Sequence, residues 1–433
     1  MTGHYHAELA WLSDAPVGDV LIEVVDGRFA AITPGVPAPP GATRLAGLTL
    51  PGLANAHSHA FHRALRGRVG GTAGDFWGWR QQMYEVAATL DPDSYLDLAT
   101  AVYAEMALAG ITCVGEFHYL HHDPAGRPYT DPNAMGHALI EAARRAGIRI
   151  TLLDALYLTA DVDGAPLAGV QVRFGDGDLD GWLTRTGSLA GAGHARIGAA
   201  AHSVRAVPAY LLGEFEARTK DRPVHVHLSE QRAENAACLA RHGRTPAQLL
   251  ADHGLLGPRT TAVHGTHLTA ANVTLLGRAG TAVCLCPTTE RDLADGLGPA
   301  AAMAAAGSPL CLGTDSHAVV DILEEARAVE MHERLRTGRR GHFDPAALVR
   351  AATAAGHAAC GWDDAGTLAV GARADLVCVR LDSPRTAGVD PAAVVFAATA
   401  ADVTDVVVDG RTVVRGGRHT TVDVGAALRG AIP

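Results

Sequence analysis

Eight short apolar segments recur along the middle of the chain, each separated from the next by polar residues and alanine-rich stretches of helical composition. The first leads from Leu50 into His57, and the others cover residues 110–114, 148–153, 197–201, 224–228, 260–263, 281–285 and 308–312. Apolar runs that alternate with helices are typical of parallel strands buried on both faces. The pattern predicts an α/β chain with a (β/α)8 barrel. A doubly wound open sheet is the alternative, but no Gly-x-Gly-x-x-Gly follows an early segment.

Both ends of the chain show another pattern, in which apolar and polar residues alternate around an Asp-Gly pair. Residues 20–32 alternate around Asp26-Gly27, and residues 406–414 alternate around Asp409-Gly410, after a strand-like run at 374–379. Asp-Gly between alternating segments is typical of a tight β-hairpin. We therefore expect a small β-sandwich domain built from both termini, residues 1–49 and 365–433, and a catalytic barrel at residues 50–364.

Polar side chains are concentrated just after the apolar segments, where the carboxyl ends of barrel strands lie. One such residue is commonly a helix cap or a hydrogen-bonded core histidine. Six or seven at equivalent positions indicate an active site, because barrel active sites are built at that face. The polar groups are His57 and His59, Glu116 to Tyr119, His202 to Arg205, His225 to Glu230, His264 to His267, Pro287 to Glu290, and Asp315 to His317.

A metal site is the chemistry that these residues favour. His57-Ser58-His59 presents two imidazoles on one face of a strand, and imidazole and carboxylate are ligands that zinc accepts. His225 and His227 both point inward from the fifth segment. We choose His227, since it is nearer the carboxyl end and beside Glu230, and expect His225 either to pack more deeply or to support a metal ligand. The predicted metal ligands are His57, His59, His227 and Asp315.

Composition narrows the class of protein. The formal net charge is -10 and the chain has no basic stripe, so a nucleic-acid partner is not expected. The N-terminal residues lack the pattern of a signal peptide, and the apolar stretch at 300–306 is too short for a membrane span. The seven cysteines have no Cys-x-x-Cys spacing and are expected to be buried thiols in a cytoplasmic protein.

The arrangement of strand-end ligands resembles the amidohydrolase superfamily, with His-x-His on strand one, histidine on strands five and six, and aspartate on strand eight. Residues 366–376 are also similar to that superfamily's return into its β domain. Members with two metals typically carry a modified lysine at the end of strand four. Here that position reads Ala200-Ala201-His202-Ser203, and the only lysine is Lys220. The resemblance therefore implies one zinc ion, or a similar divalent metal, per chain.

Within the superfamily, the chain resembles the formimidoylglutamate deiminases of histidine degradation. The similarity lies at residues 57–64, 75–80, 116–119, 202–207 and 286–290. It implies hydrolytic deamination of N-formimidoyl-L-glutamate to N-formyl-L-glutamate and ammonia. His62 departs from the glutamine expected in that family, and Arg291-Asp292 also departs from the family pattern.

The resemblance also implies roles for individual residues. His227-Leu228-Ser229-Glu230 looks like the deaminase His-x-x-Glu, so Glu230 is expected to transfer protons. Asp315 would accept the proton of the attacking water, and His264 would hydrogen-bond the attacking oxygen. Guanidinium groups suit the two substrate carboxylates. The expected substrate-binding residues are Arg80, Tyr119, His202, Arg205 and His62.

Two other functions stay open from the sequence. One is a related zinc deaminase of a nucleobase or another ring amidine, and the other is a non-catalytic barrel relative with an assembly role. Trp77 and Trp79 either close over the site or only pack the loop after the first strand. We expect a small-molecule substrate with two carboxylates and a homodimer.

Overall fold

The computed structural model describes residues 2–68 and 76–432, without the side chains of Thr2, Phe76 and Trp77. Its first four strands belong to a sheet outside the barrel. They are β1 (Thr2–Leu12), β2 (Ala15–Val25), β3 (Arg28–Thr33) and β4 (Thr43–Pro51). The long strand β1 was not predicted from the sequence. It pairs with β2 on one side and β4 on the other. Consecutive residues of β1, from Tyr5 to Ala7, are buried, so its burial does not alternate simply between core and solvent.

Eight parallel strands follow in the order of the chain, and each pairs with its sequence neighbours. They are β5 (Leu53–Ser58), β6 (Ile111–His118), β7 (Arg149–Leu156), β8 (Ala195–Ala201), β9 (Val224–Leu228), β10 (Thr260–His264), β11 (Ala282–Leu285) and β12 (Leu310–Leu312). A parallel bridge between Ser58 and Asp315 joins the last strand to the first. This nearly closed sheet confirms the predicted barrel.

Helices lie between successive strands. They are α1 (Phe76–Thr89), α2 (Pro92–Leu108), α3 (Ala134–Ala146), α4 (Leu179–Thr186), α5 (Ala209–Arg218), α6 (Arg232–His242), α7 (Pro246–Asp252), α8 (Ala270–Ala279), α9 (Pro287–Asp292), α10 (Ala300–Ala306), α11 (Ile322–Thr337), α12 (Pro345–Ala352) and α13 (Ala354–Ala359). Short 3₁₀ helices cover Ala60–Leu65, Gly169–Arg173, Pro391–Phe396 and Ala400–Asp402. Reciprocal side-chain caps, such as Asp91 with Ser94, define where helices begin.

The C-terminal segment completes the first sheet and ends in a helix. It contributes β13 (Leu376–Val379), β14 (Val403–Val408), β15 (Arg411–Arg415), β16 (Arg418–His419) and α14 (Val424–Ala431). The sheet order is β16-β15-β14-β13-β4-β1-β2-β3, so strands from both termini form one small domain, as the sequence predicted.

The two Asp-Gly pairs form the expected tight turns. Asp26 and Gly27 have φ of 48° and 78°, and Asp409 and Gly410 have φ of 47° and 73°. Positive φ at both central residues is what a type I′ hairpin turn requires. The turns also meet at one backbone residue, since Ala374 donates to Gly27 O at 2.8 Å and accepts from Gly410 N at 2.9 Å.

The barrel and the small domain join at a close backbone approach. Gly52 separates β4 from β5, and a Cβ there would lie 2.3 Å from Thr112 Oγ1 and 2.6 Å from Asp375 Cβ. Only glycine fits this crossing. The small sheet therefore continues to Pro51, two residues beyond the boundary that we predicted, and the exact domain limits stay a prediction.

Among the described residues, no helix combines the length and the apolar character needed to cross a bilayer.

Candidate active site

A pocket of about 550 Å³ opens at the carboxyl ends of the barrel strands. Ten of the eleven residues that the sequence proposed for the site line it, namely His59, His62, Arg80, Tyr119, His202, Arg205, His227, Glu230, His264 and Asp315. The eleventh, His57, is fully buried beneath the pocket floor. The proposed residues therefore lie close together, because parallel strands deliver their carboxyl ends to the same face of the barrel.

The four proposed ligands meet with the spacing of a metal site. Nε2 of His227 lies 3.2 Å from Nε2 of His57 and 3.4 Å from Nε2 of His59. Oδ1 of Asp315 lies 3.3 Å and 3.5 Å from the same two histidine nitrogens. Around a tetrahedral ion bonded at about 2.0–2.1 Å, ligand atoms stand about 3.3–3.4 Å apart. These four separations are therefore of the length expected between ligands of a zinc-sized ion.

The hydrogen bonds of the ligands fix which ring nitrogens face inward. His59 Nδ1 donates to Phe117 O at 2.8 Å, and His227 Nδ1 donates to His202 O at 3.0 Å. A neutral ring that donates from Nδ1 carries a lone pair on Nε2. Two lone pairs consequently face each other across 3.4 Å, which is unfavourable unless a cation lies between them. Such backbone anchoring is characteristic of metal-ligating histidine.

Burial also favours the protonation states that a metal needs. Burial lowers the pKa of His57 to about 3, and it lowers the pKa of His59 and of His227. Burial alone would raise the pKa of Asp315, but the neighbouring histidines hold it below its usual range. The site thus combines neutral imidazoles with an ionised carboxylate, which is a suitable donor set for a divalent metal.

Two further residues lie close enough to take part in ligation. His264 Nε2 is 3.9 Å from Asp315 Oδ2, and His264 groups with His57 and Asp315 as a possible ligand set. His62 forms a similar group with His59 and Asp315. Both rings also line the pocket, and the roles proposed for them from the sequence stay predictions.

Several site residues adopt a backbone conformation that is rare for residues other than glycine. His264 has φ of 70°, Ser229 has φ of 53° and Asp315 has φ of 41°. Each position follows or ends a barrel strand, where the chain turns away from the sheet. Left-handed conformations of this kind cost about 1–3 kcal/mol each and cluster at functional sites. The fold therefore holds these side chains at a cost to stability.

Glu230 and His264 face each other beside the proposed ligands. Glu230 Oε1 lies 3.8 Å from His264 Nε2, and both residues are buried. Burial raises the pKa of Glu230. Burial would lower the pKa of His264, but Glu230, Glu290 and Asp315 raise it above its usual value. The pair can therefore hold and transfer a proton close to the metal-binding atoms.

Arg205 is held at the pocket wall by an ion pair. Its Nε donates to Glu234 Oε2 at 2.8 Å, and its Nη2 lies 3.9 Å from Glu230 Oε2. Arg80 also lines the pocket, with its guanidinium over the ring of Tyr84, 5.5 Å from the ring centroid. Two guanidinium groups in one pocket make it suitable for an anionic ligand.

Aromatic side chains form the rest of the pocket wall. The hydroxyl of Tyr119 lies 2.9 Å from Nε2 of His62, whose ring also contacts His59 with centroids 4.5 Å apart. His202 lies against Tyr157, with ring centroids 4.4 Å apart. His62 is therefore held between the proposed ligand His59 and Tyr119, in the pocket for which the sequence proposed it as a substrate-binding residue.

The sequence missed other residues that shape the pocket. Tyr157 directly follows β7, the strand predicted by the third apolar segment. A search for polar residues just after that segment would therefore have identified it. Glu234 lies four residues after Glu230 in α6, but nothing in the sequence indicated its pairing with Arg205. Asp75 and the side chain of Trp77, which belong to the proposed similarity and loop contacts, lie outside the described part of the chain. Trp79 lines the pocket.

Two other histidine positions have structural explanations. His225 Nε2 donates to Ala359 O at 2.9 Å, away from the four ligands, which agrees with its expected deeper packing. His118, His121 and Asp154 form another possible ligand group. Both oxygens of Asp154 already accept hydrogen bonds from Arg185, and one also accepts from Trp182. A cation there would face the guanidinium of Arg185, so this group is a structural polar cluster.

Comparisons with known proteins agree with this geometry. The model of the amidohydrolase family matches residues 48–413, which include the whole barrel. Formimidoylglutamate deiminase of Pseudomonas aeruginosa is 40% identical over 432 residues, covering 95% of this chain and 95% of that protein.

Two solved structures share the fold over almost the whole chain. The crystal structure of an amidohydrolase from Brucella melitensis is 34% identical, covers 99% of each chain and has a TM-score of 0.91. An adenosine deaminase from Xanthomonas campestris with bound zinc is 26% identical, covers 99% of this chain and 96% of its own, and has a TM-score of 0.84. Hydrolytic deaminases are thus among the similar proteins.

Proposed function

Because the chain belongs to the amidohydrolase family, we propose that it is a metal-dependent hydrolase that deaminates N-formimidoyl-L-glutamate. The products are N-formyl-L-glutamate and ammonia. One observation carries the proposal, namely that the closely spaced donor atoms of His57, His59, His227 and Asp315 lie at a pocket that is also lined by two arginines. The metal cluster supports hydrolysis of a C–N bond, and the arginines match the two carboxylates of this substrate. The similarity to the Pseudomonas aeruginosa enzyme supports the same substrate.

The proposed cofactor is one zinc ion, or a similar divalent metal, held by His57, His59, His227 and Asp315. The support is the four separations of 3.2–3.5 Å among their donor atoms and the inward-facing lone pairs of His59 and His227. When bound, such a metal lowers the pKa of a water molecule toward about 7 and polarises the reacting carbon–nitrogen group.

The residues around this centre supply the proton transfers. Asp315 has a second oxygen, Oδ2, on the side of His264, and this oxygen accepts the proton of the attacking water. The water oxygen bonds to the formimidoyl carbon and gives a tetrahedral intermediate. His264, whose pKa its carboxylate neighbours raise, donates a hydrogen bond to that oxygen.

Glu230 completes the reaction on the nitrogen side. Its raised pKa allows the carboxyl group to carry a proton at neutral pH. The amidine enters as its cation, so addition of the water oxygen leaves an amino group on the reacting carbon, and Glu230 delivers its proton to that nitrogen. The C–N bond breaks while the hydroxyl proton of the intermediate passes to the Glu230 carboxylate and the formyl C=O forms. The departing ammonia takes up the proton that Asp315 accepted and leaves as ammonium.

Substrate recognition is assigned to the side of the pocket that carries Arg80 and Arg205. The two guanidinium groups bind the two carboxylates, and Tyr119, His202 and His62 add hydrogen bonds. Five aromatic residues also line the pocket, which favours a second candidate function, deamination of a flat nucleobase. The arginines discriminate between the two, because a nucleobase has no carboxylate.

The test is ammonia release from N-formimidoyl-L-glutamate, from formimidoyl amino acids that lack one carboxylate, and from adenine, guanine and cytosine. We expect turnover of the first compound and weaker turnover of each truncated one. Arg205→Met should lower kcat/KM for the dicarboxylate about 10- to 150-fold, since a charge-assisted hydrogen bond is worth about 1.5–3 kcal/mol. Preference for a nucleobase, or indifference to losing a carboxylate, would contradict the proposed substrate.

The remaining expectations concern the setting of the enzyme. We propose a role in histidine degradation. We also propose a cytoplasmic location, which the burial of all seven cysteines as free thiols supports. The homodimer stays a prediction, and light scattering of the purified protein would check it.

A further inference from the structure

Glu234 is a buried carboxylate that the reaction described above does not use. It lies in the first turn of α6, four residues after Glu230, and its side chain is 1% exposed. A buried carboxylate is costly unless hydrogen bonds satisfy both of its oxygens. The partners of those oxygens therefore indicate why it is there.

Both oxygens of Glu234 are occupied, and each contacts a different part of the site. Oε2 accepts from Nε of Arg205 at 2.8 Å. Oε1 accepts from the backbone N–H of Ser229 at 2.9 Å. One rigid carboxylate thus connects the proposed carboxylate-binding arginine with the turn between His227 and Glu230.

The first contact determines how Arg205 meets a ligand. Because Nε is engaged by Glu234, the two terminal nitrogens of the guanidinium remain for other partners. Arg205 lines the pocket, and its Nη2 lies 3.9 Å from Glu230 Oε2. Glu234 therefore fixes the guanidinium so that a ligand carboxylate is bound close to the proton-transferring group.

The second contact determines how Glu230 is held. Ser229 has φ of 53°, a conformation that non-glycine residues rarely adopt without support from their surroundings. Its N–H is bound by Glu234, and its carbonyl accepts from His267 N at 3.0 Å. The turn that directs the side chain of Glu230 into the pocket is therefore held from both sides.

We propose that Glu234 is a positioning residue that couples carboxylate binding at Arg205 to proton transfer at Glu230. This inference rests on the proposed function. In this coupling, the enzyme aligns its acid–base group, Glu230, most effectively when a substrate carboxylate is bound to Arg205. The specificity for a carboxylate-bearing formimidoyl compound is then expressed in kcat as well as in KM.

The main test is Glu234→Gln, which has nearly the same shape but places an amide N–H against one of the two donors. We expect KM for N-formimidoyl-L-glutamate to rise about tenfold, as for one lost charge-assisted contact, and kcat to fall at least about tenfold. Metal content, measured separately, should be unchanged. Glu214→Gln is the matched control, because Glu214 is exposed on α5 and pairs with Arg218 at 3.8 Å, away from the pocket.

A cycle with Arg205→Met separates positioning from a general loss of structure. Since Glu234 affects KM through Arg205, adding Glu234→Gln to Arg205→Met should not raise KM further. Because Glu234 connects Arg205 with the turn at Ser229, Arg205→Met should itself lower kcat, and the fall in kcat in the double variant should be smaller than the product of the two single falls. If Glu234→Gln does not fold, Glu234→Asp is measured in the same cycle, since it keeps the charge but cannot reach both donors.

The outcomes distinguish this inference from the proposed function. Additive effects on KM, or kcat and KM within about twofold of wild type in a folded Glu234 variant, would overturn the inference and leave the proposed function standing. A wild-type enzyme that releases no ammonia from N-formimidoyl-L-glutamate would overturn both.

Discussion

Backbone hydrogen bonds orient the residues of the proposed metal site before any ion binds. His59 and His227 each donate from Nδ1 to a main-chain carbonyl, at 2.8 Å and 3.0 Å, and so present Nε2 to the centre. Pre-oriented ligands of this kind bind metal without reorganisation. The identity of each ligand should therefore decide metal content.

The first prediction concerns the choice between two histidines on one strand. His227→Ala should lose most of its metal, because it removes one of four converging donor atoms. His225→Ala is the matched control and should keep its metal, since His225 Nε2 is bonded to Ala359 O at 2.9 Å. Elemental analysis of the folded proteins checks both. Two firmly bound ions per wild-type chain, or the opposite ranking of the variants, would contradict the proposed site.

A second prediction concerns proton transfer. Glu230→Gln keeps the size of the side chain but cannot carry a proton, so kcat should fall about 10²- to 10⁴-fold. Metal content should not change, because Glu230 is not a proposed ligand. Steady-state ammonia release with parallel metal analysis provides the measurement. A loss below about tenfold with full metal content would remove Glu230 from the mechanism.

At the residue scale, the sequence could predict chemistry that depends on local position but not partners that come from distant segments. His57, His59 and Asp315 are recognisable because each lies within three residues of the carboxyl end of a strand. The pairing of Arg205 with Glu234 was not recognisable, since α6 meets the end of β8 only after the barrel has formed. The same limit applied to the buried pair of Arg185 and Asp154.

At the scale of elements, all eight barrel segments were predictable because strands buried on both faces leave an uninterrupted apolar run. The fifth was placed at residues 224–228, which are the residues of β9. The eighth was placed at 308–312, whereas β12 is only Leu310–Leu312. Strand ends depend on pairing with neighbours, which the sequence does not show. Strand β1 was missed because the sequence does not show that it pairs with β2 on one side and β4 on the other.

Strand β7 and helix α4 are joined by a buried charge cluster. Arg185 of α4 donates to both oxygens of Asp154 at 2.8 Å, and its Nε donates to Asp176 at 2.8 Å. All three residues are largely buried. Although burial would raise it, Arg185 and nearby groups hold the pKa of Asp154 near 2, and the pKa of Asp176 is also lowered. The cluster therefore stabilises the fold in a pH-dependent way.

The third prediction follows from these lowered pKa values. Arg185→Met should cost about 3–5 kcal/mol near neutral pH, because it leaves two buried carboxylates without their cation. A lowered carboxyl pKa stabilises the fold fully above the unfolded value of about 3.9, and this stabilisation is lost as the pH falls toward about 2. The difference in Tm between wild type and variant should therefore narrow between about pH 5 and pH 2.

Thermal unfolding across that pH range checks the prediction. Arg244→Met is the control, because Arg244 pairs with Asp252 at the surface and should change Tm little at any pH. A difference for Arg185→Met that stays constant with pH would show that the loss comes from packing and not from charge.

At the scale of the whole molecule, a second buried ion pair joins the barrel to the small domain. Arg149 begins β7 at the amino ends of the strands, opposite the pocket, and is fully buried. It makes a bidentate pair with Asp375, next to β13, and donates to Asp409 at 3.2 Å. The guanidinium also lies over the ring of Trp362, 5.2 Å from its centroid. This ion pair therefore requires both domains, because the barrel provides the guanidinium and the small domain provides the carboxylates.

The last prediction is that Arg149→Met destabilises the molecule as one unit without affecting catalysis. Loss of the cation leaves Asp375 buried and unpaired, so the free energy of unfolding should fall by about 3–5 kcal/mol. Asp375→Asn removes the remaining charge, so the double variant should be less destabilised than the sum of the two single variants. Because the pair lies at the end of the barrel opposite the metal site, kcat and metal content at 25 °C should match wild type. Denaturant unfolding, monitored by a separate signal from each domain, measures the free energy of unfolding of the single and double variants. Additive losses would show that the two charges are not coupled, and separate transitions already present in the wild type would show that the domains unfold independently of this contact.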